Sequence, residues 1–378
     1  MADQKGKRRI TTSEVKKLQK DATFYVLGVV TRFVQRKDKN DNPFWEIALM
    51  DNEGAIDGKV WGNSEWWNIN GSSQRKMNPT SDEELKKLEG KTVGIQGKIV
   101  EFRDQNQCNF SAVYYVDQEK YPPHDFVRKS PFEPDVLINS LFSFIEECKE
   151  PMRGFLKYVF IEKNLRKDFI VWPAAVSMHH AYVGGLLEHS VLVTRSALSI
   201  ARGYTPDISN LNIDLDLVIA GALLHDIGKL EAYKLSPAPN MTTLGSTVDH
   251  IVCGYHTLMK LLAEYGKLDE RTAMALGHII VSHHGSREFG SPVLPETPEA
   301  FIVAAADDLD FKLFVWRDQV SQLDGDKEFS EFLAPLQRRF WKSHDVLKKS
   351  PPVSADPDRE FANAGIASAF AAAQKDAL

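Results

Sequence analysis

Ala220-Gly221-Ala222-Leu223-Leu224-His225-Asp226-Ile227-Gly228-Lys229 sets an imidazole and a carboxylate side by side at the end of an apolar helical stretch. Gly228, just beyond the pair, is the kind of residue that ends a helix. Further candidate metal ligands lie at intervals that can converge on His225-Asp226: His189 before it, then His250, the pair His283-His284, and Asp307. Seven of the eleven histidines (these five with His256 and His278) fall within about one quarter of the chain. Taken singly, His256 and His278 read as ordinary histidines. The others stand near helix-end signals, where side chains can turn into a shared cavity. Imidazole and carboxylate without thiolate suit borderline-to-hard divalent ions, which polarise a phosphate oxygen and ionise a bound water. The chemistry this points to is hydrolysis of phosphate esters.

Around this stretch the apolar period is helical. Val136–Cys148, Met152–Glu162, Gly185–Arg202, Leu215–Lys229, Asp249–Tyr265, Asp269–His283 and Pro298–Leu323 carry apolar residues at three- and four-residue spacing. Strand signals are scarce there, so the expectation is an all-helical domain over residues 135–345. Upstream the period changes. Phe24–Val34 reads as a first strand, with Gly28 allowing a bend or bulge. Lys39–Pro43 is a turn, Phe44–Met50 a second strand, Asp51–Gly54 another turn, and Ala55–Trp61 a third strand. After a polar, Trp-containing excursion from Gly62 to Gly90, Thr92–Arg103 and Cys108–Val116 supply two more. Five strands with a longer, partly helical connection between the third and fourth is the plan of an oligonucleotide-binding barrel, expected over residues 21–120. Phe44, Trp45 and Trp61 lie on these strands and are candidates for stacking nucleobases, with Arg32 and Lys59 for phosphate contact. Pro122-Pro123 and Ser130-Pro131 punctuate a linker, 121–134. The chain is therefore expected to be multidomain: a basic arm (1–20), the all-β barrel, the linker, the all-α domain and an Ala-rich tail (346–378).

At 378 residues there is room for two or three cores, and 43% hydrophobic with 26% charged residues is ordinary globular composition. No apolar run reaches the length of a membrane span, and no apolar segment of the secretory kind follows the basic start, so no membrane partner is expected. Cys108, Cys148 and Cys253 are far apart and lack metal-ligand spacing, which fits a reducing, cytoplasmic setting. The net charge of −6 hides an asymmetry: residues 1–40 hold eleven Lys or Arg against four acids, +7, leaving −13 for the rest. A basic end on an acidic, metal-binding body suggests a polyanion held in one place and cut in another.

The helical part resembles the HD phosphohydrolase superfamily, and the whole chain resembles the YhaM-type 3′–5′ exoribonucleases, which join an oligonucleotide-binding barrel to an HD domain. The segments that carry the resemblance are His179-His180-Ala181-Tyr182-Val183-Gly184-Gly185-Leu186-Leu187-Glu188-His189, Gly221–Lys229, and Ser282-His283-His284-Gly285. Gly290-Ser291-Pro292 and Asp307-Asp308-Leu309-Asp310 add to it. It covers roughly residues 20–320. It implies that His189, His225, Asp226 and Asp307 hold one metal ion and that Asp226 bridges to a second held by His250, His283 and His284. Mn²⁺ is the first expectation, with Co²⁺, Fe²⁺, Mg²⁺ or Zn²⁺ as alternatives. It further implies hydrolysis of single-stranded RNA from the 3′ end to nucleoside 5′-monophosphates, with single-stranded DNA a second substrate. Lys229 would neutralise a phosphate oxygen beside the catalytic Asp226, or serve only as a surface helix-end cation. His179 and His180 are candidates for substrate contact. Asp308 stands where the family pattern has Asn, and the Trp66-Trp67 pair is particular to this chain, leaving the barrel's binding face open.

Three alternatives remain at this point. A phosphohydrolase of free nucleotides would have less use for a fused barrel. A cyclic-dinucleotide enzyme would carry Gly-Tyr-Pro after the paired histidines, where this chain has Gly285-Ser286-Arg287-Glu288-Phe289-Gly290-Ser291-Pro292. A non-catalytic nucleic-acid-binding adaptor would have lost ligands. A homo-oligomer is compatible with the long apolar helices and the tail.

Overall fold

In the computed structural model the described residues are 9–344, except 71–72, 103–104, 177–178, 205, 236–238, 322 and 324–326. The Ala-rich tail and the first eight residues of the basic arm lie outside them. The chain divides into two compact units, Met1–Lys129 with Leu235–Ala238, and Ser130–Lys234 with Pro239–Leu378.

The first unit is built on β1 (Thr23–Lys37), β2 (Pro43–Asp51), β3 (Gly54–Asn70), β4 (Ser73–Lys76), β5 (Thr92–Phe102) and β6 (Gln105–Val116). β1 pairs antiparallel with β2 and β5, β2 with β3, and β5 with β6, while β3 and β6 run parallel. These pairings close a ring of five strands, so no edge is left unpaired within it. β4 pairs only with the far end of β3. Val26, Val30, Ile47, Leu49, Val60, Val93, Ile95, Phe110 and Val113 fill the interior, all fully buried. Leu85 and Leu88, from the connection before β5, pack into the same core.

Three expectations change here. The third strand does not stop at Trp61: β3 runs on to Asn70, and Trp66 (3% exposed) packs edge-on against Trp45 and Phe33. The apparent excursion is thus partly strand, hidden by the polar residues of an outward face. The bulge in β1 lies between Val30 and Arg32, not at Gly28. Gly28 is needed for a close approach instead, since a Cβ there would sit 2.4 Å from the Met50 carbonyl oxygen. The arm, where described, belongs to the unit: Thr12–Lys16 is a helix with a capping box from Thr11 and Glu14, and it buries Val15 in the core.

The second unit is mainly helical, and the range expected to be all-helical also holds a short two-stranded pairing of Tyr233–Leu235 with Pro239–Met241. Its longer helices among the described residues are α1 (Pro134–Glu147), α2 (Gly185–Gly203), α3 (Leu215–Leu224), α4 (His250–Tyr265), α5 (Glu270–Ser282) and α6 (Pro298–Ser321). Every residue of α3 from Leu217 to Leu224 is buried, as expected of a helix apolar all round and packed at the centre of its neighbours. Asp214 caps its start, accepting from the backbone N–H groups of Asp216 and Leu217. The chain leaves α3 at Leu224, and His225–Gly228 form a turn before a short helix, Lys229–Ala232. Gly228 does not end a helix in a left-handed conformation: its φ is −67°. A Cβ there would come within 1.9 Å of the His250 carbonyl oxygen and 2.3 Å of the Gly254 nitrogen, so the residue lets α4 pass directly against the turn.

Candidate metal centre

Two helices end at this centre in the same way. His225 follows α3 and His283 follows α5, and each donates from Nδ1 to the carbonyl three residues back, Ala222 at 2.8 Å and Ile280 at 2.6 Å. Each thereby satisfies a carbonyl that the helix end leaves without a partner and swings Nε2 away from the helix. The C-terminal ends of both helices direct partial negative charge at the same point, which favours a cation there.

The remaining ligand candidates arrive from three further helices. His189 lies in the second turn of α2, His250 opens α4, and Asp307 is mid-way along α6. His189, His225 and Asp307 bring one ligand atom each within 4.8 Å of one another, and His250, His283 and His284 do the same. Asp226 stands between the two sets. Its Oδ2 is 3.3 Å from His189 Nε2 and 3.2 Å from His225 Nε2. Its Oδ1 is 3.5 Å from His250 Nε2 and 3.6 Å from His283 Nε2. One carboxylate oxygen therefore faces each set.

All five imidazoles are oriented alike. His284 Nδ1 donates to the Phe289 carbonyl at 2.6 Å, His189 Nδ1 is 2.7 Å from Asp310 Oδ2, and His250 Nδ1 is 3.0 Å from Asp249 Oδ1. With His225 and His283, every Nδ1 meets an oxygen and every Nε2 turns inward, the tautomer and aim that a metal-ligating imidazole requires. Asp226 Oδ1, His250 Nε2 and His283 Nε2 are buried and have no hydrogen-bond partner. Orphaned buried acceptors are costly, and three facing one another are what a bound cation would satisfy.

The electrostatics agree. Burial works against ionisation of Asp226, but Lys229 and His225 hold its carboxyl well below the usual carboxylate range. Burial likewise opposes charge on His189, yet hydrogen bonds to Asp226, Asp307 and Asp310 hold its proton affinity well above that of an ordinary imidazole, so this spot favours positive charge. Burial pushes His250 and His283 down, and His284 down to about 4, leaving neutral rings able to donate a lone pair. The donors fit a divalent cation.

Lys229 is not a surface cation. It is 4% exposed, and its Nζ lies 2.5 Å from Asp226 Oδ2. Asp307 rather than Asp308 faces the centre; Asp308 is exposed and pairs with Lys312. His179 sits beside His189 and Phe311 with a buried Nδ1 that has no partner. His180 is 1% exposed and held between the Tyr182 hydroxyl at 3.0 Å and Asp310 Oδ2 at 3.0 Å, a position that braces the site. His256 is exposed, and His278 Nε2 accepts from the Glu296 backbone N–H.

The HD domain family profile matches residues 186–312, the span from α2 into α6. Over 324 residues the chain is 29% identical to the 3′–5′ exoribonuclease YhaM of Halalkalibacterium halodurans, covering 85% of this chain and 92% of that protein. It is 28% identical to the protein of the same name from Bacillus subtilis, over 80% of this chain and 89% of that one. Over most of its length the chain is thus similar to YhaM-type 3′–5′ exoribonucleases, with an HD domain in its helical part. Among solved structures, the second OB-fold domain of replication protein A from Methanococcus maripaludis covers 28% of this chain and 92% of its own, at 12% identity and a TM-score of 0.19.

In the first unit, Phe44 and Trp61 are cross-strand partners with ring centroids 5.0 Å apart on the outer face, and Lys59 Nζ lies within 6 Å of both rings (5.8 and 5.9 Å). Arg32 stands on a different strand, β1, and is paired with Asp57 of β3 at 2.8 Å. Trp45 is not with them. Strand side chains alternate, so Phe44 and Trp45 cannot share a face, and Trp45 is 3% exposed in the core. Sequence reasoning missed Asp249 and Asp310, which orient His250 and His189. Asp310 was within reach, being one helical turn from Asp307 on the same face; Asp249 occupies the N-cap position directly before His250.

Proposed function

We propose that the chain is a metal-dependent 3′–5′ exoribonuclease that hydrolyses single-stranded RNA to nucleoside 5′-monophosphates. The observation that carries this reading is the position of Asp226, one oxygen toward each set of inward-facing imidazoles. We take the centre to hold two divalent ions, Mn²⁺ first. His189, His225, Asp226 and Asp307 would hold one; Asp226, His250, His283 and His284 the other. When bound, such a pair supplies Lewis acidity and a water ionised at neutral pH. The protein's own groups do the rest. Lys229 fixes one oxygen of Asp226 and offsets its charge, so that the carboxylate stays ionised while buried. The unpartnered Nδ1 of His179 is the candidate contact for a substrate oxygen. No serine or cysteine is required as nucleophile.

The first unit supports the RNA reading. Its ring of five strands, ordered β1-β2-β3-β6-β5, fits the five-stranded plan of an oligonucleotide-binding barrel. Phe44 and Trp61 with Lys59 make an outward aromatic and cationic patch suited to stacked bases. Among the described residues no helix is long and apolar enough to cross a membrane, and all three cysteines are free; we place the protein in the cytoplasm. A full ligand set speaks against a non-catalytic adaptor.

The test is a Mn²⁺ titration of metal-stripped protein on 5′-labelled single-stranded RNA, beside single-stranded DNA and free nucleotides, with His225→Ala and Asp226→Ala as controls. A ladder shortening from the 3′ end, only with metal and only in the unsubstituted protein, is expected. RNA bound but uncut in every lane would replace this reading with an adaptor, and hydrolysis of free nucleotides alone would replace it with a nucleotide phosphohydrolase.

A further inference from the structure

Five imidazoles point their Nε2 atoms into the centre, but they are held there by two different means. For His225, His283 and His284 the oxygen on Nδ1 is a backbone carbonyl, of Ala222, Ile280 and Phe289. For His189 and His250 it is the carboxylate of a residue outside the two ligand sets taken above, Asp310 and Asp249; Asp310 also lies with His180 and His189 in a third close group of donor atoms. One of these carboxylates serves each set of ligands. A carboxylate behind an imidazole fixes the ring and makes it a better donor than a carbonyl does.

Both carboxylates are braced for the task. Asp310 Oδ2 is shared between His189 Nδ1 at 2.7 Å and His180 Nε2 at 3.0 Å. His180 is tied in turn to the Tyr182 hydroxyl, which donates to Glu188 at 2.8 Å, and every member of that chain is buried. Asp249 is more exposed, and its backbone is strained: φ 74° and ψ 153° belong to the region that glycine favours. The strain places a single oxygen, Oδ1, 3.0 Å from both His250 Nδ1 and the Ile251 backbone N–H. An Asp in that conformation caps α4 and orients the histidine that opens it.

We infer that Asp310 and Asp249 are positioning residues, each governing the affinity of one of the two ion positions, Asp310 through His189 and Asp249 through His250. This rests on the two-ion reading proposed above. The experiment titrates metal-free full-length protein with Mn²⁺ and follows the free ion by electron paramagnetic resonance. The proteins compared are the unsubstituted chain, Asp310→Asn, Asp249→Asn, and each of these combined with His189→Ala or His250→Ala. The unsubstituted chain is expected to bind two ions. Each Asn variant should weaken one ion by about 10- to 100-fold and leave the other within about threefold. Asp310→Asn should add nothing to His189→Ala yet add its full effect to His250→Ala, with the reverse pattern for Asp249→Asn. Thermal melting of the metal-free proteins checks folding. If the buried Asp310 variant does not fold, the more exposed Asp249 arm decides alone. Two ions bound unchanged by the variants, or both ions weakened equally by either, would overturn this inference and leave the two-ion reading standing. Fewer than two ions on the unsubstituted chain would overturn both.

Discussion

Asp226 and Lys229 form a buried pair, 1% and 4% exposed, three residues apart in a turn. Breaking a buried pair from one side leaves an uncompensated charge, at a cost of about 3–5 kcal/mol. Lys229→Ala should therefore lower the unfolding free energy of the metal-free protein by about that much. Added Mn²⁺ should restore part of the loss, because the cation takes over the lysine's role beside the carboxylate. Melting curves in chelator and in Mn²⁺ check both halves; equal losses in the two conditions would contradict them. At the next ambiguous pair, Asp307→Ala should reduce Mn²⁺ affinity by more than about 100-fold, since a ligand is worth more than its outer partner. Asp308→Ala, which only removes a surface partner of Lys312, should bind Mn²⁺ like the unsubstituted chain. At this scale the candidate ligands could be picked out because side-chain chemistry is written in residue type and spacing. Asp310 was in reach only as a neighbour of Asp307 on the same helix face, and Asp249 not at all, because their contacts depend on rotamers, on the cap conformation before His250 and on how α2 meets α6.

The elements explain which neighbours on the chain share a role. Phe44 and Trp45 are adjacent on β2 and so face opposite ways. Trp45→Ala should cost about 3–5 kcal/mol of stability by emptying the core. Trp61→Ala should melt like the unsubstituted protein and weaken single-stranded RNA binding by about 1–3 kcal/mol, the worth of one stacked base. Fluorescence-anisotropy binding and thermal melts on the two variants separate these outcomes. Most of the long helices were readable from their apolar period to within a residue or two, though the one expected over Leu215–Lys229 ends at Leu224, and the five strands were readable in place but not in length. The reach of β3 to Asn70 was not: Gly62, Asn63, Ser64 and Glu65 carry no strand signal, the register with β6 breaks between Val60 and Glu65, and pairing resumes beyond it with β6 and, from Trp67, with β4. Gly228 was misread for a similar reason. Its need comes from α4 passing against it, which nothing in the local sequence announces. Gly228→Ala should destabilise the protein by at least about 1–3 kcal/mol through that overlap. By displacing His250 it should also weaken Mn²⁺ binding, measurable in the same titration.

Across the whole molecule, two units carry two kinds of chemistry: an outward aromatic and cationic patch in one, a buried set of inward-facing imidazoles and carboxylates in the other. The plan of a β unit followed by a helical one was visible in the change of period near residue 120, and the charge asymmetry along the chain hinted at an anionic substrate. The five-strand ring was expected only from strand count and connection lengths; the pairings that close it are long-range and are not written in any local stretch of sequence. Removing Lys59 should lower the salt dependence of RNA binding by about 0.7 in log–log slope, one phosphate contact's worth. The central claim is removal of nucleotides from a free 3′ end by a metal centre built on Asp226. Its most direct test offers the Mn²⁺-loaded protein one RNA sequence in two forms, linear and covalently circular, with Asp226→Ala alongside. The linear form should be reduced to nucleoside 5′-monophosphates, the circle should stay intact, and Asp226→Ala should cut neither. Cleavage of the circle, or degradation of linear RNA by Asp226→Ala, would contradict the account.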